Sequence, residues 1–349
     1  MMRIKRTILI VTLFISTGLQ ALDYSYWYHF KDRFIEQNGR VIDRYNNVSH
    51  SESQSYGMYF AVTYGDKKTF DSIYNWTNQN LTRNREGLYG WKWGEREDGS
   101  WGMIDGNNAT DGDMWIVYSL LLAYEKWGEK RYLNDAKGLM HNIKEHTVLQ
   151  IRGKTFLLPG SYGFSKDDHI KLNPGYYIPF IFEKFYVYDH DQIWKNLVSD
   201  SIKMFKKSTL SQLKVHPNWI NYNFHTSECD AINGESIFGF DAIRIPLFLA
   251  YYYRQTGNRE VLSILDGYKT LIAYIKNSKK IIYEIELQRE KIKYKYPPFG
   301  FIVVYQYLFE TLNMKPPLYF KSKIEKGVMY EQKDYYSYSL LLFSDIFKQ

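Results

Sequence analysis

In one segment after another of this chain, apolar and aromatic residues return at intervals of three and four. Met114, Val117, Leu120, Leu121, Tyr124 and Trp127 trace one such face, the pattern of a helix buried along one side. Similar runs cover Tyr56 to Thr63, Tyr132 to His146, Tyr176 to Tyr188, Ile193 to Lys206, Leu247 to Gln255, Glu260 to Ile275, Phe301 to Leu312 and Tyr335 to Phe347. Gly65, Gly128 and Gly257 follow such runs and read as helix stops. Strand-like pieces are few, Val148 to Arg152 with Thr155 to Leu158 and Ile281 to Glu286 with Lys291 to Tyr296, and read as hairpins inserted between helices. The expected class is all-α, a toroid of helical hairpins with small β-hairpin insertions, although periodicity alone does not separate it from other all-α arrangements.

The first residues follow a different rule. Arg3, Lys5 and Arg6 precede an uncharged run from Thr7 to Leu19, and a small residue, Ala21, stands before Leu22 and Asp23. This is the order of a secretory signal peptide, expected over residues 1–21, and the run falls short of the roughly 20 apolar residues a membrane span needs. Cleavage there takes away three positive charges and no negative ones, so the formal charge of +7 falls by three. Lysines elsewhere are scattered among acidic residues, which speaks against a nucleic-acid partner. The single cysteine, Cys229, cannot form an internal disulfide, so an exported chain must rely on its core. No Pro/Gly/Ser linker marks a boundary, and residues 22–349 are expected to form one domain. After cleavage no membrane span is expected, and the location is periplasmic or secreted.

Aromatic residues make up 18% of the chain, with 33 Tyr, 21 Phe and 9 Trp. Core filling accounts for some of them. Trp beside Gly and charged residues, as in Gly90-Trp91-Lys92-Trp93-Gly94, Trp101-Gly102 and Trp115, also suits flat platforms on which the C–H faces of sugar rings pack. Asn107 and Asn108 add amides for hydroxyl groups.

Three constellations carry carboxylates. In Ser51-Glu52-Ser53-Gln54-Ser55-Tyr56-Gly57-Met58, Glu52 either caps the helix that follows or serves as a proton donor whose pKa an aromatic helix raises. In Asn108-Ala109-Thr110-Asp111-Gly112-Asp113, the two aspartates cap a helix, bind a sugar or orient water; a metal is disfavoured, since no His or Cys lies nearby and calcium-loop spacing is absent. In Phe238-Gly239-Phe240-Asp241-Ala242-Ile243-Arg244-Ile245-Pro246, Pro246 suits a first helical turn. Asp241 and Arg244 just ahead form either a plain ion pair or a base kept ionised by its cation.

With Asn173-Pro174-Gly175-Tyr176-Tyr177, these motifs resemble glycoside hydrolase family 8, in their order and wide separation, from about Tyr24 to Phe347. Within the family the likeness is greatest to periplasmic endoglucanases encoded with bacterial cellulose synthase. The resemblance implies an (α/α)6 barrel and inverting endo-hydrolysis of β-1,4-glucan, with no cofactor and no metal. It makes Glu52 the general acid, Asp241 the general base and Asp111 with Asp113 the acidic pair at the cleaved sugar, with Asp113 the favoured catalytic member. Tyr176 and Arg244 line the same subsite, and Trp91, Trp93, Trp101, Trp115 and Asn108 are expected along the substrate path. The cellulose synthase machinery is an implied partner. Two departures stand out: Ser53 replaces a usual Gly, which bears on how closely substrate approaches Glu52, and Phe240 replaces a usual Tyr near the base.

Two other functions stay open on sequence: hydrolysis of another polymer such as xylan or chitosan, and non-catalytic binding of an exported glycan. The eight histidines are dispersed, and phosphate-binding glycine loops and a Gly-x-Ser-x-Gly elbow are missing.

Overall fold

The computed structural model describes residues 22–81, 84–289 and 291–349, so the expected signal peptide at 1–21 lies outside the described residues. Its helices are α1 (Tyr24–Phe34), α2 (Ser51–Thr63), α3 (Lys67–Asn80), α4 (Thr110–Trp127), α5 (Lys130–Thr147), α6 (Pro179–Asp189), α7 (Gln192–Lys207), α8 (Arg244–Thr256), α9 (Arg259–Gly267), α10 (Lys269–Ser278), α11 (Phe299–Thr311), α12 (Tyr319–Tyr330) and α13 (Tyr335–Ile346). Helices α2, α4, α6, α8, α11 and α13 each pack on the next, and α13 returns to α2, closing a ring. Outside it, α3 backs α2, α5 backs α4, α7 backs α6, α9 backs α8, α12 backs α11 and α1 backs α13. The architecture is an (α/α)6 barrel.

Burial separates the two rings. On α2, α11 and α13 nearly every residue is buried, including Ser53, Gln54 and Ser55 on α2 and Ser337 and Ser339 on α13. Outer helices bury one stripe, as α3 does with Phe70, Ile73, Tyr74, Trp76 and Thr77. The ends follow local chemistry. Asp334 caps α13 by accepting from the Ser337 N–H at 3.0 Å, and Gly128 and Gly257, at φ of +72° and +65°, stop α4 and α8 in the left-handed region.

The barrel is filled largely with rings. Trp115 of α4 meets Tyr59 of α2 at 4.9 Å between centroids, Phe343 of α13 at 5.0 Å and Phe248 of α8 at 5.6 Å. Much of the aromatic excess is therefore barrel packing, and the expected substrate role of Trp115 is corrected by its complete burial.

Short antiparallel sheets sit in the connections. The expected hairpins form at Val148–Ile151 with Lys154–Leu157 and at Glu284–Glu286 with Lys291–Lys293, the latter extended by Ile237–Phe238. Two further sheets carry no clear sequence pattern: Ser49–His50, Gly90–Glu95 and Trp101–Asn108, and His169–Leu172, Ile220–Asn223 and Cys229–Ala231. The run expected as one helix from Glu260 to Ile275 is two, α9 and α10. It breaks at Gly267 and Tyr268, where the buried tyrosine hydroxyl lies 2.6 Å from His216 Nδ1.

Candidate active site

The starts of all six inner helices, or residues just ahead of them, lie around one cleft. Glu52 opens α2, Asp111 opens α4, Tyr176 precedes α6, Asp241 and Arg244 enter α8, Pro297 and Pro298 precede α11, and Asp334, Tyr335 and Tyr336 enter α13. The positive ends of helix dipoles therefore converge where the carboxylates gather. Two glycines permit the approach. A Cβ on Gly112 would stand 2.3 Å from Ser51 Oγ, and one on Gly175 would stand 2.7 Å from the Asp241 carbonyl oxygen. The first lets α4 bring Asp111 against α2, and the second seats the Tyr176 turn on the Asp241 turn.

Arg244 is the hub, and it is 1% exposed. Its Nη1 donates to Glu52 Oε2 at 2.6 Å, to Asp111 Oδ2 at 3.0 Å and to the Tyr56 hydroxyl at 3.0 Å, while Nη2 donates to Asp241 Oδ1 at 2.8 Å. The guanidinium also lies over the Tyr176 ring, 5.6 Å from its centroid. The Tyr335 hydroxyl donates to the other oxygen of Glu52 at 2.8 Å.

One cation facing three carboxylates does not neutralise them all. Burial pushes Glu52 above its ordinary value, with Asp241 and Asp43 adding to the effect and Arg244 and the Tyr335 hydroxyl opposing it. Burial likewise pushes Asp111 up to about 7, helped by Glu52 and Asp241 and opposed by Arg244 and the Gly112 N–H. The cluster thus holds a proton at a pH where exposed carboxyls have lost theirs.

The cleft has two lobes. One, a cavity of about 500 Å³, is lined by Trp91, Asn108, Asp111, Phe164, Lys171, Tyr176 and Trp219 among others. The other, about 660 Å³, is lined by Asp43, Tyr45, Phe240, Tyr296, Glu331, Asp334, Tyr335 and Tyr336 among others. They share three lining residues, His50, Glu52 and Asp241.

The expected site residues divide accordingly. Glu52, Asp241, Asp111, Tyr176, Arg244 and Trp91 come together. Asn108 lines the cleft, but its amide is engaged inward, donating to Asp113 Oδ2 at 3.0 Å and accepting from the Ser161 N–H at 2.7 Å. Asp113 is fully buried and absent from the lining of both lobes. It accepts from the Tyr89 N–H at 3.0 Å as well, which ties the helix start to the strand that follows Leu88. Trp93 and Trp101 also stand off the cleft; they hold the Arg40 guanidinium, which lies 4.8 and 5.0 Å from their ring centroids. Ser53 is buried, and its hydroxyl donates to the Val41 carbonyl at 3.2 Å and accepts from the His50 N–H at 3.0 Å, so it fixes the approach to α2 rather than facing a substrate. Phe240 does line the cleft, edge-on to Phe301 at 5.3 Å.

Sequence reasoning missed Tyr335, Tyr56, His50, Phe164 and Lys171. Tyr56 lay within a quoted motif, four residues after Glu52, and that helical spacing was its signal. Tyr335 is 283 positions from the carboxylate it touches, and nothing local marks it.

Among known proteins, the family model described as glycosyl hydrolases family 8 matches residues 1–349. An endoglucanase of Cellulomonas uda is 32% identical over 69% of this chain and 67% of its own length, and an endoglucanase of Escherichia coli O157:H7 is 32% identical over 66% and 62%. The matched part therefore spans about two thirds or less of these relatives. The structure of an endo-1,4-D-glucanase from Vibrio fischeri ES114 superposes with a TM-score of 0.84 at 28% identity, covering 92% of this chain and 94% of that one. With the barrel and the carboxylate cluster at its mouth, the family model's match over residues 1–349 shows that the chain belongs to glycosyl hydrolase family 8.

Proposed function

We propose that the protein is an inverting endo-β-1,4-glucanase. The observation that carries this reading is the single buried guanidinium of Arg244 holding Glu52, Asp111 and Asp241 at the waist of a cleft that extends to both sides. A polymer laid through both lobes crosses Glu52 and Asp241 in its interior, as endo-cleavage requires.

Inversion asks for an acid and a base on opposite faces of the sugar, roughly 6.5 to 9.5 Å apart. Glu52 and Asp241 are gripped by different nitrogens of one guanidinium, which holds the two carboxylates on separate arms at the cleavage point. Glu52 protonates the leaving glycosidic oxygen. Asp241, which accepts from Arg244 Nη2 at 2.8 Å, takes a proton from the water that attacks the anomeric carbon from the other side. The bond to the leaving oxygen breaks as the bond to water forms; the donated proton stays on the new sugar hydroxyl, Asp241 gives its proton up to solvent and Glu52 takes one from it, which restores both groups.

Asp111 is the better candidate than Asp113 for the third carboxylate, since it stands on the cleft wall and shares Arg244. Its place beside the acid suits a hydrogen bond to a hydroxyl of the distorted sugar, and Tyr176 supplies a ring alongside. The raised pKa of Glu52 keeps its proton to higher pH than an exposed glutamate. Activity should accordingly persist above the ordinary carboxyl range and fall as pH rises through the folded value.

Export follows from the pattern at residues 1–21, with a periplasmic or secreted site of action on β-1,4-linked polysaccharide. Among the described residues no helix is long and apolar enough to cross a membrane. A place beside cellulose synthesis rests on resemblance to the endoglucanases of that setting.

The test is hydrolysis of a soluble β-1,4-glucan, followed by viscosity and by proton NMR of the first anomer released. A rapid viscosity fall with α-anomer product, absent in Glu52→Gln, is the expected result. Release of β-anomer, or undiminished activity in Glu52→Gln, would overturn the mechanism.

A further inference from the structure

Of the three residues common to both lobes, two are the proposed acid and base; the third, His50, has no part in the mechanism above. Its place is set from three sides. Its backbone pairs with Lys92 at the end of the Ser49–His50 strand, it occupies the position just before α2, and its ring lies parallel to Trp91 with centroids 5.8 Å apart at 11°. A side chain fixed by strand, helix start and stacked ring is already in position before substrate arrives.

Its chemistry suits an uncharged polyol. Burial pushes the imidazole down to about 4, with Lys92 acting in the same direction and Asp43 against it, so the ring is neutral wherever the enzyme works. A neutral imidazole carries one N–H donor and one acceptor nitrogen, matching a sugar hydroxyl, which both donates and accepts. A cation there would instead drain the proton from Glu52, two residues away.

Resting on the glucanase reading, we infer that His50 is a substrate-contacting residue at the cleavage point: with Trp91 it holds the sugar adjoining the scissile bond and thereby decides which bond of a chain is placed over Glu52 and Asp241. It neither gives nor takes the catalytic proton.

The test uses cellohexaose with wild type, His50→Ala and His50→Gln, reading kcat/KM, the initial distribution of cleaved bonds and the melting temperature. His50→Ala should lose roughly ten-fold in kcat/KM and spread its cuts over more bonds, while the alkaline limb of the pH profile stays put. His50→Gln, which keeps a donor and an acceptor, should recover most of the loss. An unchanged rate and bond distribution in His50→Ala overturns the inference, and so does a loss that Gln does not relieve, because the ring would then serve only to pack on Trp91. If wild type itself leaves glucan uncut, the glucanase reading fails and takes this inference with it. An active wild type with an indifferent His50→Ala breaks the inference alone.

Discussion

The two lobes of the cleft meet at the same pair of carboxylates, the proposed acid and base, yet are built from different materials. One presents rings: Trp91, Phe164, Tyr176 and Trp219, with Phe164 and Trp219 parallel within 2° at 6.0 Å and Lys171 Nζ 4.8 Å from the Trp219 centroid. The other adds Asp43, Glu331 and Asp334 to its tyrosines and prolines. Two of those three carboxylates are occupied. Asp43 accepts from the Tyr45 N–H at 3.0 Å and from Asn46 at 2.6 Å, and Asp334 caps α13. The ring lobe therefore offers tryptophan faces held in fixed positions that gain from covering by sugar, whereas the other lobe sets Tyr45, Phe240, Tyr296, Tyr335 and Tyr336 beside carboxylates, two of which hold its own wall together. One lobe should grip and the other release, an asymmetry that lets product leave.

The hub shared by both lobes gives the largest expected effect. Arg244→Met removes the only cation bonded to Glu52, Asp111 and Asp241 among the described residues, and kcat/KM should fall on the order of a thousand-fold or more. If steady-state kinetics show less than a ten-fold loss, the hub is not what joins the lobes. Next comes the ring lobe. Trp219→Ala should raise KM for long glucans roughly ten-fold, with kcat changed less, since stacking there is made before the transition state. Smallest is the other lobe: Glu331→Ala, on a residue whose carboxylate accepts from the Tyr45 hydroxyl at 3.4 Å, should alter KM less than two- to three-fold. A Glu331→Ala effect equal to that of Trp219→Ala would erase the contrast.

The pH dependence of stability sharpens the same picture from the side of the fold. Asp111 ordinarily titrates at 3.8, but in the folded chain it is held up to about 7. Between those values the native state binds more protons than the unfolded one, so this residue makes stability fall as pH rises from about 4 to about 7. Asp111→Asn should flatten that part of a urea-midpoint profile while abolishing most activity. An unchanged slope would place the proton elsewhere in the cluster.

How much of this was legible depended on whether the cause was local. The three-and-four spacing on α4 and α8 reflects burial along each helix, so these elements could be read directly. Of the helices not foreseen, α12 buries only Phe320 and Gly327, a face made by its neighbours, whereas α1 and α3 bury regular stripes that the polar residues between them mask. Glu52, Asp241 and Arg244, which the structure brings together, lay within short motifs at helix starts and could be picked out. Telling Asp111 from Asp113 could not be done by eye, because two residues along a helix start turn one carboxylate to the cleft and the other to Tyr89 and Asn108. Trp93 and Trp101 misled for a related reason. A ring that packs on Arg40 and a ring that packs on sugar need the same flat face, and only the tertiary arrangement says which partner is present.

Ring closure has a temporal consequence. The Asp23 N–H donates to Asp345 across 322 positions, the Tyr64 hydroxyl reaches the same carboxylate, and α13 supplies both the final inner wall and the Tyr335 hydroxyl on Glu52. Such distant contacts form late, after the intervening chain has been ordered. A polypeptide in which α13 has not yet docked has neither a closed barrel nor the Tyr335 hydroxyl on Glu52. The cleft is thus incomplete until α13 has docked, and its completion is the act of folding itself.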